Sequence, residues 1–261
     1  MKTLFKTQLN RFYLLATFAF GLFFTVPSFA QTAQTPVKNV VLVHGAFVDG
    51  SGWKALYEVL TQKGYKVTIV QNPLSSLEDD VRATKLVLDK QDGPTILVGH
   101  SWGGTVITEA GNHPKVAALV YVAAVQPDSG ENTIQWLQTA PPAPENGVLA
   151  PDAHGIVYYD KAKFHAGFAA DIPKADADFM YASQGAFYAK GFETPISQAA
   201  WRNKPAYGIV ATEDKSIVPS IQRAMYKRSN SKITEIKGSH VVFMSQPKVV
   251  AQVIISAANG K

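Results

Sequence analysis

The sequence predicts an α/β protein, a mostly parallel sheet of about six strands with helices on both faces, interrupted once by an insertion. Three observations predict it. Apolar strand-like runs and helix-compatible runs alternate in the first and last thirds of the chain, the pattern of βαβ units. One apolar run, Thr95-Ile96-Leu97-Val98, breaks at Gly99-His100-Ser101-Trp102-Gly103-Gly104 and gives way to a helix-compatible run at Thr105-Val106-Ile107, so a sharp strand-to-helix turn carries a serine. The alternation lapses between about Gln126 and Asn203, where Pro141-Pro142-Ala143-Pro144 introduces a loop, and resumes beyond it.

In chain order, strands are expected near 38–44, 66–70, 94–99, 117–124, 205–211 and 232–236, and helices near 51–63, 76–90, 102–111, 217–228 and 247–257. Val40-Val41-Leu42-Val43, Leu119-Val120-Tyr121-Val122 and Ala206-Tyr207-Gly208-Ile209-Val210-Ala211 are the clearest strand cores. Residues 31–125 and 204–261 therefore form the α/β core, and 126–203 is expected to fold as short amphipathic helices making a small helical cap. No internal repeat or low-complexity tract is present.

The first thirty residues read as a secretory signal peptide. Lys2, Lys6 and Arg11 form a positive start, Phe12 to Val26 is predominantly apolar, and Ser28-Phe29-Ala30 offers small residues for cleavage before Gln31. The protein is expected to be exported, periplasmic or secreted, with no membrane attachment after cleavage. The remainder carries 22 basic and 20 acidic residues, a net charge of +2, with no Lys/Arg cluster interleaved with aromatics, so no nucleic-acid partner is expected. The runs Glu78-Asp79-Asp80 and Lys161-Ala162-Lys163 read as solvated helix faces or loops. There are no cysteines, and the 231 residues that follow the signal suffice to bury a core without disulfides. Nothing in the sequence bears on oligomeric state.

The chemistry is carried by the turn. A serine there sits in a strained conformation with its hydroxyl pointing out of the sheet, and the turn closes only if the residues two before and two after are very small, which Gly99 and Gly103 are. A serine hydroxyl needs a histidine base and a carboxylate to orient it. Of the six histidines only His240 follows a late β-run, Ile233-Thr234-Glu235-Ile236, through a loop that leaves its imidazole at the sheet edge. Asp214, in Thr212-Glu213-Asp214-Lys215 beyond a buried strand, is the expected acid, with Glu213 and Asp128 as alternatives. The backbone N–H groups of Ala46 and Trp102 are the expected oxyanion donors, and His44 is expected to brace the loop after the first strand. No His-Glu-x-x-His motif or histidine pair at ligand spacing occurs, so neither metal nor organic cofactor is expected.

With these features in register the chain resembles the α/β-hydrolase superfamily over nearly all of the part beyond the signal. Val43-His44-Gly45-Ala46-Phe47-Val48-Asp49-Gly50-Ser51-Gly52-Trp53 is most similar to the small branch holding plant methyl-salicylate-type esterases, bacterial aryl esterases and hydroxynitrile lyases. The resemblance implies a carboxylesterase working through a Ser-His-Asp triad and an acyl-enzyme. Lyases of this branch carry threonine after the first histidine and lysine after the catalytic one; here Gly45 and Val241 occupy those positions, so the esterase type is expected. Lactone opening, perhydrolysis, haloperoxidase and lyase chemistry on the same triad, and a non-catalytic small-ligand receptor, are the alternatives. The stretch between Gln31 and Val37 is too short for the two antiparallel strands that open larger members.

The insertion is rich in large side chains: Trp136, Tyr158, Tyr159, Phe164, Phe168, Phe179, Met180, Tyr181, Phe187, Tyr188 and Phe192. Together they favour a small apolar or aromatic ester as substrate. Gln184 and Gln198 are polar residues of a kind that could orient it.

Overall fold

The computed structural model describes residues 37–261. The proposed signal peptide lies outside the described residues. Strand β1 (Asn39–Val43) leads through a short 3-10 turn to helix α1 (Lys54–Gln62) and strand β2 (Lys66–Val70). Helix α2 (Leu77–Asp89), strand β3 (Thr95–His100), helix α3 (Gly103–Ala110) and strand β4 (Val116–Val122) follow. An insertion then contributes helix α4 (Thr133–Leu137), strand β5 (Ile156–Val157), helices α5 (Lys161–Phe168) and α6 (Lys174–Ala182), strand β6 (Phe187–Tyr188) and helix α7 (Lys190–Glu193). Strand β7 (Ala206–Ala211), helix α8 (Pro219–Arg228), strand β8 (Lys232–Ile236) and helices α9 (Val242–Ser245) and α10 (Pro247–Ala258) complete the chain.

Six strands form one sheet in the order β2-β1-β3-β4-β7-β8, and all five pairings are parallel. The physical reason is burial: β1 and β3 are buried along their whole length, so both faces demand apolar side chains and helices must cover both. Only the outer strands expose residues, with Lys66 on β2 and Lys232 and Glu235 on β8 facing solvent and blunting the edges. From β1 the chain first steps to one side, to β2, and then crosses to β3 on the other. Right-handed crossovers therefore place α1 on one face and α2, α3 and α8 on the other. Packing agrees, with α1 against α10 and α2 against α3. Such a reversal opens a crevice at the carboxyl ends of the strands, where the loops after β1, β3, β7 and β8 meet.

Two expectations need correction. The residues between β4 and β7 are not helical throughout, because β5 and β6 pair as an antiparallel ribbon, Ile156 opposite Tyr188 and Val157 opposite Phe187. Nor is the acidic run of α2 solvated as a whole. Ser76 caps the helix through its hydroxyl, which accepts from Asp79 N–H at 3.0 Å, and Glu78 stands in solvent, but Asp80 is fully buried. It shares the inward face with Leu77, Val81, Thr84 and Leu88, the spacing of an amphipathic helix.

Candidate active site

At the end of β3, Ser101 adopts φ +54°, the left-handed region that a residue with a side chain seldom enters. Its carbonyl accepts from Gly104 N–H at 3.0 Å and from Val125 N–H at 3.2 Å, which fixes the turn against α3 and against the strand next door. The two glycines are there for contact. A Cβ on Gly99 would run into the carbonyl of Gly103, and one on Gly103 would lie 2.5 Å from Val43 O and 2.9 Å from His44 O. All of these obstacles are backbone, which cannot swing aside. Gly103→Ala is therefore expected to cost about 3 kcal/mol and lower Tm by roughly 10 °C. Calorimetry on the pure variant checks this, and a melting curve that overlays the wild type would refute the steric account.

His240 lies just past β8, in a loop held to the turn after β7 by Thr212 N–H on Ile236 O (2.9 Å) and Glu213 N–H on Gly238 O (3.0 Å). Its Nδ1 is 2.7 Å from Asp214 Oδ2, and both residues are only 1% exposed. Asp214 is ringed by donors. Ser216 N–H (2.8 Å) and Ile217 N–H (2.9 Å) reach Oδ1, and Gln222 Nε2–H (2.8 Å) joins His240 at Oδ2. A carboxylate so placed makes Nδ1 the protonated nitrogen and leaves Nε2 bare. The other acids stand elsewhere: Glu213 faces the exposed Lys237 at 3.6 Å, and Asp128 is paired with Arg202, whose guanidinium holds its carboxyl below the usual range.

Further contacts set the imidazole's position. His100 Nε2–H donates to the His240 carbonyl at 2.9 Å, and burial lowers the His100 pKa, keeping it neutral. Phe168, from the insertion, sets its ring edge-on to the imidazole with centroids 4.7 Å apart. Asp171 accepts from Ser239 N–H at 2.8 Å and from the Ser245 hydroxyl at 2.7 Å, and also takes the Ser239 hydroxyl.

His44 opens the loop after β1. Its Nε2 accepts from Asn72 N–H at 2.9 Å, so Nδ1 carries the proton, which it directs at Gly45 O, also 2.9 Å away. Asn72 Nδ2 returns a bond to the His44 carbonyl at 2.8 Å. Burial lowers the His44 pKa as well, so the residue braces the loop as a neutral ring. That loop lies hard against the serine turn, since a Cβ on Gly45 would be 2.7 Å from Ser101 Cβ. Among the described residues, the backbone N–H groups of Ala46 and Trp102 donate to no protein acceptor, and both residues line the same cavity as Ser101 and His240. Ser101 Oγ makes no hydrogen bond to His240 or any other described group; such bonds commonly close only with substrate in place.

The cavity holds about 600 Å³. Its walls are mostly apolar, from Ala46, Phe47 and Trp102 at the serine end to Ile134, Leu137, Pro141, Pro142, Val148 and Leu149 farther out, with Val218 and Ile221 from the α8 side. Neither lysine nor arginine is among the lining residues, and Glu193 is the carboxylate there. Of the large side chains in the insertion, only Tyr159, Phe168 and Phe192 reach the cavity. Phe164 packs inside the insertion against Tyr159, Phe168 and Tyr181, Phe187 packs down onto Phe47 and Trp102 of the core, Met180 is buried, and Phe179 is 63% exposed. Gln184 is spent on the backbone, donating to Tyr181 O, and Gln198 is exposed. Neither lines the cavity. The aliphatic and proline walls carry no mark in the sequence that separates them from core or loop residues.

The chain is similar to known proteins in sequence and in fold. A family-wide profile, that of the alpha/beta hydrolase family, matches residues 40–253. A pyrethroid hydrolase of Sphingobium wenxiniae is 26% identical, over 85% of this chain and 88% of its own. A carbendazim hydrolyzing esterase of Nocardioides sp. is 29% identical over 52% of this chain and 61% of its own. Among solved structures, a pyrethroid hydrolase from Sphingobium faniae JZ-2 superposes with a TM-score of 0.73 at 24% identity, covering 85% of this chain and 97% of the other, a likeness of fold.

Proposed function

The chain belongs to the alpha/beta hydrolase family, and from that premise we propose that it is a serine carboxylesterase for uncharged esters bearing an apolar or aromatic group. One observation carries the reading. Ser101 at its strained turn, the His240–Asp214 pair and two unspent backbone N–H groups all belong to residues at, or directly behind, the wall of one apolar cavity. A hydrolase and an esterase among the relatives support it.

In this mechanism His240 Nε2 takes the proton of Ser101 as Oγ attacks the ester carbonyl. Asp214 holds the proton on Nδ1 and stabilises the imidazolium. The developing oxyanion is met by the N–H groups of Ala46 and Trp102, each such donor being worth about 3 kcal/mol. His240 then protonates the departing alkoxide, and a water deprotonated by the same nitrogen releases the acid from Ser101. A wall without lysine or arginine disfavours substrates carrying an anionic group. A lyase of the cyanohydrin type draws no support here, because Val241 is buried and apolar and Gly45 leaves no room for a side chain beside Ser101.

The test is reaction with an organophosphonate followed by turnover of p-nitrophenyl esters from acetyl to decanoyl. The expected result is one adduct on Ser101 and turnover that rises with acyl length until the cavity is filled. A mass spectrum of folded protein without an adduct would sink every hydrolytic reading and favour a receptor.

A further inference from the structure

The Asp80 carboxylate takes no part in the mechanism above, yet it is fully buried and bonded to the neighbour of the nucleophile. Its Oδ2 accepts from the indole Nε1–H of Trp102 at 2.8 Å, and its Oδ1 accepts from Leu74 N–H at 2.7 Å. Leu74 holds φ +60°, and its own carbonyl accepts from Tyr188 N–H of β6 at 3.1 Å. One acceptor-only group thus joins three segments: the serine turn, the loop before α2 and the insertion.

We propose that Asp80 is a positioning residue for catalysis, fixing the Trp102 indole so that the Trp102 backbone N–H stays aimed at the oxyanion. This rests on the esterase reading above. Trp102 is 1% exposed, and its ring meets Phe187 and Phe192 edge-on, with centroids at 5.2 and 5.7 Å. Its indole is therefore gripped at the nitrogen by Asp80 and on its faces by the insertion. The carbonyl of the Ser101–Trp102 peptide is held by Gly104 N–H and Val125 N–H, and the locked side chain restrains the same peptide from its Trp102 end, so its N–H is held from both sides. Preorganisation of this kind is what an oxyanion donor needs, since a donor that must reorient during reaction loses most of its worth.

The cost of keeping a carboxylate here supports a functional role. Burial pushes Asp80 up to about 6, with neighbouring Asp79 adding to the rise and the two N–H donors opposing it. The ionised form is thus a burden on folding near neutral pH. An aliphatic residue would remove the buried charge but leave the Leu74 and Trp102 N–H groups without acceptors.

A double-mutant cycle tests the proposal with Asp80→Asn, Trp102→Phe and the pair, reading kcat and KM separately. Asn offers one acceptor oxygen where two donors converge, and Phe removes the indole donor while keeping a ring. The expected result is a kcat about tenfold lower in each single variant, a KM within about twofold of wild type, and no further loss in the pair. Wild-type kcat in Asp80→Asn, or losses that multiply in the pair, would overturn it. A role confined to stability would lower Tm and leave kcat alone. If Asp80→Asn does not fold, the wild type still decides through its ¹⁵N-indole spectrum, with the Trp102 signal identified by its absence from Trp102→Phe. A slowly exchanging, low-field indole proton supports the bond to Asp80, and one exchanging freely with water refutes it. Wild-type protein that neither labels with organophosphonate nor turns over esters would instead remove the esterase reading, and the indole spectrum would still report separately on whether Asp80 holds Trp102.

Discussion

Ser101→Ala is expected to lower kcat on p-nitrophenyl esters by on the order of a millionfold and to abolish organophosphonate labelling, with no loss of thermal stability. The two halves of this expectation have separate grounds. Activity falls because no other hydroxyl or thiol stands at the turn where β3 becomes α3, and the chain has no cysteine to substitute. Stability holds because Ser101 Oγ has no hydrogen-bond partner among the described residues, so its removal strands no donor or acceptor. The turn itself is made by backbone bonds from Gly104 and Val125 to the Ser101 carbonyl, which alanine keeps. What remains should exceed the rate in water, because the N–H groups of Ala46 and Trp102 still polarise a bound carbonyl. The assay must therefore compare purified variant and wild type at equal folded concentration. A variant that retained a tenth of the activity would move the nucleophile elsewhere and dismantle the whole assignment.

Much of the fold was legible in the sequence because the sheet is buried on both sides. Strands β1, β3, β4 and β7 are buried on both faces and apolar through their centres, and an unbroken run such as Val40-Val41-Leu42-Val43 announces that without any periodicity. Boundaries were less legible. The fourth strand was expected to reach 124 but ends at Val122, because Ala123 turns out of the sheet at φ +45°, and no residue type marks an alanine as left-handed. The ribbon of β5 and β6 escaped notice because each strand has two residues, too few to show alternation.

At the site, sequence order and turn chemistry pointed to Ser101, Asp214 and His240, and the structure brings Asp214 and His240 into hydrogen-bond contact behind a cavity that Ser101 and His240 share. Asp80 was missed for a different reason. Its charge argued for solvent, while its spacing from Leu77, Val81, Thr84 and Leu88 placed it on the inward face, and only the second cue reflected where the helix packs. The cavity walls were missed because Leu, Val and Pro serve cores and pockets alike. Which of them line an empty space depends on how the insertion folds back over the sheet, a matter of long-range geometry.

Asp214→Asn should cost on the order of ten-thousandfold in kcat with little change in KM, and the surroundings of the carboxylate explain why so small a change is so damaging. Ser216 N–H and Ile217 N–H converge on Oδ1, so an amide at this position must place its oxygen there. Its NH2 then occupies the place of Oδ2, facing His240 Nδ1 and Gln222 Nε2. Gln222 cannot turn to accept from it, because its Oε1 already takes Ala211 N–H at 3.1 Å and its Nε2–H serves Ile217 O at 2.6 Å. The amide must donate to His240 Nδ1. That forces the imidazole proton onto Nε2, the nitrogen that has to accept the proton of Ser101, and the base is blocked in its neutral form. Raising the pH cannot restore activity by neutralising the ring, since the neutral ring is already the wrong tautomer. Glu213→Gln provides the contrast, because Glu213 faces only the exposed Lys237 at 3.6 Å and should keep wild-type kcat. The measurement is kcat against pH for both variants. Equal activity in Asp214→Asn and Glu213→Gln would mean that the 2.7 Å bond between Asp214 and His240 has no part in catalysis.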